Sequence, residues 1–169
     1  MRRLGLSLKE VHLDTTSFHI NGCYYSDERD AEGAIHIKQG YSRDHRPELN
    51  QVVLEFLVEN QAGIPLLMKP LSGNQNDKTS FQEAVAQHAL QPHETGIEVL
   101  VSDSAGYTAT TLQSLQSSSI TWVMSVPATL SQAKRLLDDV PTEHFSTLLA
   151  GYDVACLESN YADLPQRWF

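Results

Sequence analysis

Val11-His12-Leu13-Asp14-Thr15-Thr16-Ser17-Phe18-His19-Ile20 reads as a β-strand, because β-branched and aromatic side chains recur through it and no glycine or proline interrupts it. Asp14 sits in its middle. Aspartate is depleted in strands because its short side chain competes for backbone hydrogen bonds and prefers water, so a central one needs a compensating partner. A bound cation is one such partner. A partly exposed strand whose Asp is satisfied locally is the other, and this stretch alone leaves both open.

The chain around it has 169 residues, enough for one domain with a real core and short for two. Its 41% hydrophobic and 20% charged residues are those of a soluble globular protein, and it contains no run of about eighteen uncharged apolar residues, so no membrane segment is expected. Lys9 and Glu10 cut the leading apolar stretch short of a signal-peptide core, and a cytoplasmic location is the expectation. Cys23 and Cys156 lie far apart with no CxxC or paired-His spacing, which points to reduced thiols. Twelve basic against 21 acidic residues give a net charge of −9. That charge repels a polyanion over long range, so any action on DNA requires other parts to hold the DNA.

After the opening strand, Asn21-Gly22 signals a turn and Ser26 to Gly33 reads as an acidic surface loop. Ala34 to Lys38 alternates and predicts a short edge strand, and Gly40 to Asn50 is loop. Lys38, Arg43, His45 and Arg46 form a local basic patch that suits either phosphate contact or, with Asp44 and Glu48 interleaved, a solvated loop. Gln51 to Val58 and Ile64 to Met68 flank a five-residue loop ending in Gly63 and predict a hairpin. Thr79 or Ser80, followed by Gln82 or Glu83, predicts the cap of a helix whose face is Phe81, Ala84, Val85, His88 and Ala89. His88 there reads as a packed, hydrogen-bonded histidine.

Ile97 to Ser102 predicts a strand running into Asp103, the second placed carboxylate. A helix from about Thr108 to Gln116, a strand from Ile120 to Val126, and a helix capped by Thr129 and bearing Leu130, Ala133, Leu136 and Leu137 follow. The tail carries strand-like pieces at Phe145 to Leu149 and Tyr152 to Leu157. A three-strand meander followed by helix, strand, helix, strand, helix outlines an α/β fold with a mixed, ribonuclease-H-like sheet. If the Asp14 strand and the strand leading to Asp103 are parallel neighbours, about 4.8 Å apart, the two carboxylates share one cleft. Such a pair repels unless a divalent cation lies between, and oxygen-only ligands suit Mg²⁺ or Mn²⁺. For Asp103 an N-cap or turn role is the alternative.

The runs LDTTSFHI (13–20), GYSRDHRPELNQVVLEFLVENQAGIPLLMKPLSGNQNDKTSF (40–81) and VLVSDSAGYTATTLQSL (99–115) resemble the catalytic core of insertion-sequence transposases of the IS4 type, IS1634-like group. The RDHRP and PLSGN blocks carry the resemblance, since a generic fold does not require them. It implies a DDE transposase with a ribonuclease-H-like fold, in which Asp14 and Asp103 bind Mg²⁺ (or Mn²⁺) and DNA is cleaved and joined at element ends. Phosphoryl transfer of this kind is mostly positioning and charge neutralisation.

The family's third acidic residue, a Glu on a late helix within a tyrosine, arginine, glutamate and lysine signature, has no counterpart here. Glu143 and Glu158 have neither the helix nor the spacing. The reading is therefore of an incomplete core over residues 1–140, with 141–169 the start of a truncated β-rich insertion, and of a fragment with little or no activity alone. Its expected partners are DNA, a further copy of itself or a full-length transposase. A non-catalytic interaction module and a small metal-dependent phosphohydrolase on a doubly wound sheet are the alternatives.

Overall fold

The computed structural model describes residues 8–24, 34–41, 45–75, 77–86 and 96–169, and the statements below concern these. Arg43, Asp44, His88, Ala89 and the acidic stretch 26–33, all singled out above, lie outside the described residues, as does the side chain of Leu137.

The opening run forms strand β1 (Glu10–Ile20), followed by β2 (Asn50–Glu59) and β3 (Pro65–Ser72). Helix α1 (Asp77–Ala84), β4 (Val99–Ser102), α2 (Ala109–Ser117), β5 (Thr121–Met124) and α3 (Ser131–Asp139) come next. The five strands make one sheet in the order β3-β2-β1-β4-β5. β2 pairs antiparallel with β1 and with β3, whereas β4 runs parallel to β1 and β5 parallel to β4. This is a mixed α/β architecture compatible with a ribonuclease-H-like fold. A doubly wound parallel sheet is a different arrangement. β3 is an edge strand, which is why Pro65 and Pro70, each without an amide donor, fit within it.

One face of the sheet is covered. Val11, Leu13, Leu57 and Leu100 pack with Phe81, Ala84 and Val85 from α1 and its π-type continuation, and with Leu115 of α2. Trp122 and Met124 of β5 join this cluster to a second one built on Tyr107, Leu112 and Ala133, to which Leu130 and Leu136 also belong. Leu100, Leu112 and Leu115 are fully buried.

β2 buries the less apolar of its two faces. Gln51, Val53, Glu55, Leu57 and Glu59 are buried, while Val52, Leu54, Phe56 and Val58 are only partly buried on the other side. Each polar group has its own setting. Both Glu59 oxygens accept backbone amides, from Gln61 at 2.5 Å and Ala62 at 2.9 Å, closing the turn that Gly63 completes at φ 66°. Gln51 Nε2 donates to the carbonyls of Tyr41 and Gly73 at 3.0 and 2.8 Å. A Cβ on Gly73 would fall 2.1 Å from the Gln51 carbonyl oxygen, and one on Gly40 would fall 1.9 Å from that of Gly73, so neither position accepts a side chain. Glu55 faces Lys69, Ser80 and Glu83. Its carboxyl is pushed above the usual range first by burial, with Lys69 opposing, Glu83 reinforcing and Ser80 opposing.

Three expectations are corrected. Ala34 to Lys38 is not a strand but meets the sheet through one bridge, Lys38 to Gln51, because Gly73 and His36 take the neighbouring backbone bonds. Helix α1 starts at Asp77, ahead of Thr79 and Ser80, and Ser80 is buried against the sheet rather than capping. At α3 the N-cap is Leu130, with no side-chain cap bond from Thr129.

The tail is more ordered than its sequence suggests. After a 3-10 turn (Thr142–His144), β6 (Phe145–Leu149) pairs with β7 (Tyr152–Ala155), and β8 (Leu157–Tyr161) with β9 (Leu164–Trp168). The β6–β7 hairpin exposes Phe145, Leu148, Leu149 and Tyr152. The β8–β9 hairpin instead packs Tyr161, Leu164 and Trp168 into the second core cluster.

Candidate functional site

Asp14 lies on the face of β1 opposite Val11, Leu13 and Thr15, all of which are buried. It is exposed, and its Oδ1 accepts the Thr15 amide at 2.7 Å. Among the described residues that face of the sheet is uncovered, with Phe18 50%, Met68 57% and Val123 59% exposed around Asp14 and its cross-strand neighbour Phe56.

The parallel ladder between β1 and β4 pairs Val11 with Leu100, His12 with Val101 and Leu13 with Ser102. One step further along, the two chains reach Asp14 and Asp103. Neighbouring strands lie about 4.8 Å apart, so the backbones bring these two residues side by side where β4 ends. Asp103 is exposed, and its Oδ1 accepts the Ala105 amide at 2.9 Å. This is the local turn role that its position before a helix allows, and Thr108, not Asp103, is the N-cap of α2, accepting the Thr111 amide at 3.2 Å. Two exposed carboxylates, each with one oxygen oriented by a backbone amide, are an all-oxygen donor pair of the kind a hard divalent cation takes while keeping several waters. No group of three His, Cys, Asp or Glu with metal-binding spacing is formed among the described residues.

His12 lies two residues before Asp14 on the same face of β1. His12 Nε2 is 2.9 Å from Asn60 Oδ1 and 3.6 Å from Glu10 Oε1. Arg46 of the basic loop pairs with Glu48, whose carboxyl it holds below the usual range. Glu143 lies in the 3-10 turn and Glu158 on β8, opposite Arg167.

The turn after Asp103 is buried at Gly106 and Tyr107. A Cβ at Gly106 would fall 2.5 Å from Phe81 Cζ and 2.6 Å from Ser102 Oγ, so glycine lets the turn lie directly on α1. Tyr107 is buried, stacks on Tyr161 with ring centroids 5.0 Å apart and meets Trp168 edge-on at 6.5 Å. Its hydroxyl donates to Gln166 Oε1 at 2.5 Å, which also accepts Trp168 Nε1–H at 3.3 Å. Burial pushes the Tyr107 phenol above its ordinary value. The Tyr107 and Gln166 contact was not foreseen from sequence, and Gln166 itself carries no local signal of it.

No protein-family model and no curated protein matches the chain. Among solved structures it is similar to a chain of the Mos1 transposase paired-end complex with left transposon end, at 12% identity and a TM-score of 0.42, covering 78% of this chain and 39% of that one. The chain thus spans well under half the length of that protein. No helix among the described residues is long and apolar enough to cross a membrane.

Proposed function

We propose that Asp14 and Asp103 are two carboxylate ligands for Mg²⁺ or Mn²⁺ in a DDE-type transposase core of the IS4 type, IS1634-like group. The reaction of such a core is cleavage of a phosphodiester at an insertion-sequence end and joining of the freed 3′ hydroxyl to target DNA. The observation that carries this reading is the β1–β4 ladder, which runs into both aspartates at one step on the uncovered face of a mixed sheet. The RDHRP and PLSGN blocks support it, since Gly40 before the first and Gly73 within the second form one backbone joint about Gln51. A divalent cation held by Asp14 and Asp103 would supply Lewis-acid activation of the attacking oxygen and charge neutralisation at the leaving oxygen. The chain's part is to hold two carboxylates in place, and no side-chain nucleophile is required. With no third carboxylate among the described residues at the pair, turnover by this chain alone is expected to be slight, because such ligands act as a unit.

Titration with Mn²⁺, followed by electron paramagnetic resonance, is expected to reveal one weak site that Asp14→Asn with Asp103→Asn removes. Unchanged binding in the double variant rejects the shared site. On labelled element-end DNA with Mg²⁺, turnover abolished by Asp14→Asn would overturn the expectation of an inactive chain. A second reading, an interaction module that associates with another transposase molecule, is favoured by the apolar row Val52, Leu54, Phe56 and Val58 on the uncovered face. Phe56→Lys should then abolish association measured by sedimentation, with the fold intact.

A further inference from the structure

We infer that the β8–β9 hairpin is a latch that fixes the Asp103 turn, with Gln166 and Tyr107 as its positioning residues. Tyr107 and Gln166 are 59 residues apart in sequence, yet one oxygen, Gln166 Oε1, receives both the Tyr107 hydroxyl and the Trp168 indole N–H. The hairpin is held from two further directions. Gln113 of α2 donates to the Ala162 carbonyl in its turn at 3.3 Å, and Gln132 of α3 donates to Ser159 of β8 at 2.7 Å.

On the other side of Tyr107 the turn is short and continuous. The Tyr107 amide donates to the Ser104 carbonyl at 3.2 Å, and the Ala105 amide to the Asp103 carboxylate. Gly106 is pressed on Phe81, and Gln82 Nε2 of α1 donates to Thr108 Oγ1 at 3.2 Å. The turn bearing Asp103 is therefore clamped between α1 and the hairpin. Releasing Tyr107 removes one jaw and frees the Ala105 amide that orients the carboxylate. Groups that orient a metal-binding side chain typically change metal affinity by roughly 10–100-fold when removed. Coupling of this kind is reciprocal, so a cation on the aspartates should tighten the hairpin by the same factor.

The latch rests on the two-carboxylate reading, and the experiment separates the two. Amide hydrogen exchange and Mn²⁺ affinity are measured on the full chain for the wild type, Gln166→Leu, Gln166→Glu and Tyr107→Phe. Gln166→Leu is expected to lower protection at Ala105 and Mn²⁺ affinity at least tenfold each, while the β2 amides at Val53 and Leu57 keep their protection. Gln166→Glu, which retains an acceptor oxygen, should recover most of both losses. Tyr107→Phe, which keeps the ring and its packing, should move both in the same direction by less. Mn²⁺ should raise protection at Gln166 in the wild type. If the wild type binds Mn²⁺ and both Gln166→Leu and Tyr107→Phe leave Ala105 protection and affinity unchanged, the latch is refuted and the site stands. A wild type that takes up no Mn²⁺ overturns both.

Discussion

Replacing Glu55 by methionine should stabilise this protein. Glu55 has no exposed surface, and neither carboxylate oxygen has a hydrogen-bond partner of ordinary geometry among the described residues. A buried polar group left so costs about 1–3 kcal/mol, more when charged. Lys69, directly opposite on β3, offsets part of this, and Glu83 works against it. Methionine has nearly the same length and no charge, and its removal of the carboxylate does not strand Lys69, which keeps Glu83 at 3.8 Å and a partly exposed head. The expected net gain is about 1–2 kcal/mol at pH 7, or roughly 2–8 °C in Tm for a chain of this size.

The pH dependence gives the test its sign. Glu55 ionises near 4.5 in the unfolded chain and higher in the folded one. Its contribution to stability is therefore fully present below that value and is lost as pH rises through the folded pKa. The gap between Glu55→Met and wild type should be small near pH 4, widen above about pH 4.5 and level off once the folded-state carboxyl has ionised. Urea unfolding followed by tryptophan fluorescence at three or four pH values measures it. A methionine variant less stable by about 1 kcal/mol at pH 7, or a gap that ignores pH, would mean that Glu55 and Lys69 form a net favourable pair and would refute the reasoning.

Other substitutions separate the remaining forces, each read as a change in urea midpoint. Glu59→Ala leaves the Gln61 and Ala62 amides without their acceptors and should cost about 1–3 kcal/mol, Glu59→Gln less. Gly73→Ala, whose methyl would collide with two backbone carbonyl oxygens, should cost about 3 kcal/mol. Gly63→Ala meets open space and suffers only its positive φ, about 1–2 kcal/mol. Leu100→Ala, emptying the centre of the sheet, should cost about 2–5 kcal/mol.

The long periodic runs carried the fold in the sequence. Val11 to Ile20, Gln51 to Val58 and the β–α alternation after Ile97 suffice for a mixed sheet, whereas the register that ends the β1–β4 pairing one step before Asp14 and Asp103 comes from the ladder itself. What hid from a sequence reading was decided by contacts far along the chain. The β8–β9 hairpin turns on Ala162-Asp163, both at positive φ, where the usual signal is Asn-Gly, and its stability comes from Tyr107 and Trp168. Ser80 has the chemistry of a cap but is held under β2, and Thr129 has the spacing of a cap while the chain starts its helix after Leu130. In β2 the local pattern points the wrong way, because Val52, Leu54, Phe56 and Val58 look more like a core than Gln51, Glu55 and Glu59 do. The side that is covered is the one on which Leu57 packs with Phe81 and Ala84 of α1.

The joint of Gly40, Gln51 and Gly73 sets unequal tolerances for insertions and deletions. Gly40 and Tyr41 are already tied to Gln51, so residues added between positions 41 and 50 enlarge a closed loop at little entropic cost. Between Gln51 and Gly73 every residue belongs to the β2–β3 hairpin or its turn. One extra residue in β2 after Gln51 would turn Glu55 and Glu59 outward and bring Phe56 and Val58 inward if Gln51 keeps its two carbonyls, or carry Gln51 off them if the rest of the strand keeps its register. Length variation among descendants of this sequence should therefore collect between positions 40 and 51 and stop sharply at the glutamine.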